Sequence, residues 1–97
     1  MLTNNGYLIP KRIYDDPRFN LPTKCLIALL EDRADFTNTV FTCIAELEQI
    51  TGESRATVNR RLKLLTEHGV IKRKLRKGDR GYGLYIELLQ VGSVERG

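Results

Sequence analysis

The apolar period of this chain changes at one residue, Gly69. Before it, Val58, Leu62 and Leu65 recur at i, i+4 and i+7, with Leu64 flanking them, the stripe of a helix that packs on a core. After it, Ile71 and Leu75, then Leu84, Ile86 and Leu88, alternate with other residues at the two-residue period of strands. Glycine readily adopts the left-handed conformation that ends many helices. A chain that changes period there folds as helices followed by a β-hairpin. The expected class is mainly α with a β-hairpin (α+β), and 97 residues make one domain.

The remaining elements follow from breakers and caps. Residues 1–20 read as an irregular or extended N-terminal arm, with Tyr7-Leu8-Ile9 as a short strand candidate and Pro10 and Pro17 as breakers. Ile13, Tyr14 and Phe19 are expected to pin this arm. Pro22 suits a first helical residue, and a broad apolar face follows over Thr23–Ala34. Asp35–Thr39 is rich in turn residues, and Val40-Phe41 is a candidate short strand. Thr42 is expected to cap a helix over Cys43–Ile50, and Ser54 a helix over Arg55–His68, with Gly52 between them. Val70–Lys77 and Tyr82–Leu89 form the hairpin around a Gly78-Asp79-Arg80-Gly81 loop. The organisation is therefore an arm over 1–20, a folded domain over 21–89 and a tail over 90–97.

Several functional classes are excluded at this stage. At 41% hydrophobic and 29% charged, the composition is not that of a disordered tail, a collagen-like fibre or a disulfide scaffold. No apolar run nears the ~20 residues of a membrane helix. The opening MLTNNGYLIPKR lacks the apolar stretch of a secretory signal, so a cytoplasmic protein without membrane contact is expected. Cys25 and Cys43 suit packed thiols. Two separated cysteines and His68, placed in a last helical turn, do not make a zinc site. No cofactor, metal or catalytic group is signalled, and an enzyme is not expected.

Charge is the second strong feature. Arg55–Arg80 holds ten basic residues against Glu67 and Asp79, a net of +8, while the rest of the chain carries −4. Such polarisation presents a basic face to an anionic partner.

Helix, helix, glycine turn, helix and basic hairpin is the order of a winged helix-turn-helix with three helices and a basic wing. Gly52-Glu53-Ser54-Arg55-Ala56-Thr57-Val58-Asn59-Arg60-Arg61-Leu62, followed by Leu65 and Glu67-His68-Gly69-Val70-Ile71, resembles the bacterial winged-helix pattern. Val58 and Leu62 anchor the third helix, leaving Arg55, Thr57, Asn59 and Arg60 as the base-reading set in a major groove. Ser54 and Lys63, with Lys74, Arg76, Lys77 and Arg80 of the wing, are the expected phosphate or wing contacts. The sequence departs from the pattern at Glu48, where such helices usually carry alanine, and at Glu53, where an apolar residue is common.

Tyr7-Leu8-Ile9-Pro10-Lys11, Leu21-Pro22-Thr23-Lys24 and Ala28-Leu29-Leu30-Glu31-Asp32-Arg33 further resemble the N-terminal DNA-binding domains of plasmid and phage replication initiators. That resemblance spans about residues 7–89 and is loose over 35–40. It implies origin binding, often as a dimer, with a separate C-terminal domain following. This chain stops just past the wing, as an isolated domain or a small stand-alone relative would. The expected function is sequence-specific binding of double-stranded DNA as a homodimer. A stand-alone transcriptional regulator and a DNA-transfer accessory protein share the same docking physics. A winged-helix protein-interaction module is the rival from another class, but it would usually show aromatic anchors on the third helix.

Overall fold

The computed structural model describes residues 8–78 and 81–89. The chain divides into two compact units, Met1–Arg33 and Ala34–Gly97.

The first unit holds α1 (Lys11–Tyr14) and α2 (Leu21–Arg33). A helical turn at α1 corrects the expectation of irregular chain over 1–20. Pro10 precedes the turn with its ring-fixed φ of −59°, and its carbonyl accepts from the N–H groups of Ile13 and Tyr14. Of the strand candidate at 7–9, Leu8 forms a single β-bridge and Tyr7 lies outside the described residues.

α2 starts at Leu21, one residue before the expected Pro22, because Asn20 caps it. The Asn20 Oδ1 accepts from the Thr23 N–H at 3.0 Å and from the Thr23 hydroxyl at 2.7 Å. Pro22 thus sits one place inside the first helical residue, where its missing N–H still costs nothing. α1 packs on α2, with Arg12 Nη2 donating to Glu31 Oε2 at 2.9 Å. Ile13 and Phe19 are buried as expected, whereas Tyr14 stays exposed with the Lys24 ammonium over its ring. Leu26 to Leu30 are buried without a break.

The second unit contains β1 (Thr39–Thr42), α3 (Ile44–Thr51), α4 (Arg55–Glu67), β2 (Ile71–Gly78) and β3 (Gly81–Leu88). The three strands form one antiparallel sheet in the order β1-β3-β2. This α+β arrangement, helices followed by a three-stranded antiparallel sheet, is compatible with a winged helix. Its buried residues include Val40, Leu47, Val58, Leu62, Leu65, Val70, Ile71, Ile86 and Leu88. Each such side chain contributes roughly 1.5–3 kcal/mol by leaving water. The stripe on α4 therefore outweighs any one cap or ion pair in holding the unit together.

Local chemistry sets the element ends. α3 stops at Gly52, which takes φ 73°, and three residues later α4 begins. α4 ends in a Schellman motif, with Val70 N–H bonded to the Leu65 carbonyl and Gly69 N–H to that of Thr66. Gly69 has φ 72°, and Leu65 and Val70 are both buried across the motif. The expected N-cap of α3 is corrected from Thr42 to Cys43, which makes no side-chain cap bond. Thr42 belongs instead to β1, and its hydroxyl donates to Glu46 Oε1 at 2.7 Å. The hairpin ladder continues to Gly78 opposite Gly81, tighter than the four-residue loop expected.

Candidate nucleic-acid interface

The helix pair α3–α4 packs together across Gly52-Glu53-Ser54, and α4 also packs on β2. Ser54 caps α4: its Oγ accepts from the Thr57 N–H at 3.3 Å and bonds the Thr57 hydroxyl at 3.1 Å. Both hydroxyls are thus engaged with each other at the helix start.

Helical spacing divides the outward residues of α4 among three flanks. Arg55 and Asn59 share one. Ala56, Arg60 and Lys63 occupy the open face, and all three are exposed. Thr57 falls on the far flank with Arg61, away from Asn59. The expected base-reading set is therefore spread around the helix: Arg55 and Asn59 share one flank, Arg60 lies on the open face, and Thr57 on the far flank is the helical neighbour of Arg60 rather than of Asn59.

The two unusual acids both pair with arginines of α4. Glu53 accepts two hydrogen bonds from Arg61, at 3.0 and 2.7 Å. This pairing holds the Glu53 carboxyl below its ordinary range, against an opposing effect of burial. The same bonds raise the Arg61 guanidinium above its usual value. Glu48 Oε1 lies 3.5 Å from Arg55 Nε, a looser contact that leaves the Arg55 side chain 67% exposed.

Strand pairing sorts the wing cations by face, because directly opposed residues share a face and neighbours along a strand alternate. Arg73 is opposite Ile86, Leu75 opposite Leu84, and Lys77 opposite Tyr82. Ile71, Arg73, Leu75 and Lys77 thus share the sheet face that holds buried Ile86 and Leu88. Lys72, Lys74 and Arg76 lie on the other face, with Tyr85 and Phe41. The sheet consequently separates Lys77 from Lys74 and Arg76. Arg80 lies outside the described residues. Leu75 shares the face of Ile71 as expected but is 65% exposed, having run past the covered part of the sheet.

A cleft of about 440 Å³ joins helix to sheet. Arg55 and Asn59 line it from α4, Arg73, Leu75 and Leu84 from the sheet, and Cys43 from the start of α3. Arg73 was absent from the expected contacts. Its parity with Ile71 and Leu75 was the available signal, since that places it on the side facing α4. Among the described residues, no cluster of His, Cys, Asp or Glu could hold a metal ion, and no helix is long and apolar enough to cross a membrane.

No protein-family model matches the sequence, and no curated protein matches it. A solved structure described as "N-Terminal domain of DNA binding protein" is similar to it, with a TM-score of 0.62 and 18% identity. The similarity covers 93% of this chain and 83% of that chain. At that identity the likeness shows the fold.

Proposed function

We propose that this domain binds double-stranded DNA in a sequence-specific manner, with α4 entering the major groove. One observation carries the reading: Arg55 and Asn59 of α4 converge with Arg73 of β2 on a single cleft, while Arg60 and Lys63 stand exposed beside it. Arginine suits guanine O6 and N7, and asparagine suits adenine N6 and N7, both by paired hydrogen bonds. Arg55, Asn59 and Arg60 read base edges. Ser54, Thr57 and Lys63 lie beside the backbone, with Arg73 and Lys77 reaching phosphate from the sheet. The similarity to a domain described as DNA-binding supports the same partner.

The finer reading is the origin-binding domain of a plasmid or phage replication initiator, acting as a homodimer. It rests on the sequence resemblance over residues 7–89. A single helix reads few bases, and two-fold pairing doubles the site.

Selection of bound duplexes from a random pool at near-physiological salt tests both levels. Enriched direct repeats support an origin array. An enriched inverted repeat supports a dimeric initiator or regulator. Salt-sensitive binding without enrichment rejects sequence reading, and no binding rejects the DNA reading.

A further inference from the structure

The face of the sheet turned away from Arg73 and Lys77 carries two exposed aromatic rings. Phe41 of β1 and Tyr85 of β3 are directly opposed in the ladder, with ring centroids 4.7 Å apart. They are 59% and 38% exposed. Gly83 permits this arrangement. A Cβ at that position would stand 2.8 Å from the Phe41 ring, which therefore lies across bare backbone. The Arg76 guanidinium sits 5.2 Å from the Tyr85 ring centre, and Lys74 pairs directly with Tyr85 across the ladder. Lys72 continues the row, at a spacing of about 6.8 Å per two strand residues.

We infer that this face is a second nucleic-acid site, one that takes single-stranded DNA by stacking bases on Phe41 and Tyr85 while Lys72, Lys74 and Arg76 follow the phosphates. The rings require an unpaired base, because a duplex keeps its base faces stacked on one another. A cleft of about 180 Å³ beside Tyr85, lined also by Thr39, Glu87 and the Lys72-Arg73-Lys74 stretch of β2, gives a base room. The charge selects against a second copy of the chain. Three cations against Glu87 leave +2 on the patch, and a two-fold contact would set that charge against itself. The choice of DNA over RNA rests on the duplex-binding reading of α4, since a locally opened duplex would supply the strand.

The test is fluorescence anisotropy on the whole 97-residue chain, with labelled dT12, rU12 and a random duplex at near-physiological salt. Tyr85→Leu and Phe41→Leu are expected to weaken dT12 binding by at least roughly fivefold each, with duplex affinity changed less than twofold. Lys74→Gln, on an exposed side chain, is expected to weaken dT12 binding and flatten its salt dependence without touching the fold. Arg60→Ala should do the reverse, weakening the duplex alone. Unchanged dT12 binding in Tyr85→Leu and Lys74→Gln overturns the site. Equal or tighter rU12 binding overturns the assignment to DNA, and a dimer disrupted by Tyr85→Leu makes the face a protein interface instead. Tight dT12 binding with no duplex binding would reject the major-groove reading while leaving this stacking face in place.

Discussion

Arg61 reaches back eight residues to Glu53 and holds its carboxylate at both oxygens, Nε to Oε1 at 3.0 Å and Nη2 to Oε2 at 2.7 Å. The pair ties the turn between α3 and α4 to the second turn of α4, so a cation in the basic stretch serves architecture. Its geometry is that of a planar fork on a carboxylate, which lysine does not reproduce. Glu53→Gln is expected to lower unfolding stability by about 1 kcal/mol, between an exposed ion pair and a buried charged hydrogen bond. Urea denaturation near neutral pH measures it.

The same pair gives a pH dependence. The folded-state pKa of Glu53 lies below its ordinary value near 4.5, so its contribution is fully present above that value. It is lost as pH falls through the depressed folded pKa. Asp16 and Asp35, lowered by bonds from Arg18 and from Thr37 and Thr39, act in the same direction. Unfolding midpoints followed downward from pH 6 are expected to fall below about pH 4.5, and Glu53→Gln should shallow that decline.

Ser54→Ala removes the acceptor for the Thr57 N–H and the partner of the Thr57 hydroxyl. A loss of about 1 kcal/mol is expected, as for other N-caps. Thermal unfolding followed by circular dichroism measures the change.

Gly52→Ala isolates backbone conformation. Nothing lies within 4 Å of an added Cβ, so the whole cost comes from φ 73°. About 1–2 kcal/mol of destabilisation is expected. The substitution would leave the outward residues of α4 unchanged, so duplex affinity below the melting transition should be retained.

Glu48→Gln releases Arg55 from its acidic neighbour and removes a negative charge beside the cleft. Duplex affinity is expected to rise by roughly two- to fivefold, with stability changed by less than about 0.5 kcal/mol because the contact is exposed. Binding titrations at two salt concentrations check both the gain and its electrostatic origin.

The parts of the fold written in local chemistry were legible from sequence. Ser54, Gly52 and Gly69 mark the ends of α3 and α4, and Val58, Leu62 and Leu65 mark the buried face of α4. α1 was not legible, because four residues carry no period and Pro10 reads equally as a breaker or a helix start. The pairing of Val40 with Ile86 was hidden for another reason: it joins residues far apart in the chain, and neither strand alone specifies the partner. Glu53 and Arg61 escaped because their spacing is not a helical neighbour relation. The division of wing cations was available in principle. Arg73 and Lys77 share the parity of Ile71, whereas Lys74 and Arg76 do not; reading the hairpin as one basic cluster discarded that alternation.

The most direct test of the central claim is an amide chemical-shift map of the 97-residue chain titrated with a duplex obtained by selection. The expected result is that the largest changes fall on residues 55–63 of α4 and on Arg73 and Lys77, with Lys72, Lys74 and Tyr85 little affected. Changes concentrated on Phe41, Lys74 and Tyr85, with α4 silent, would contradict major-groove docking by this helix.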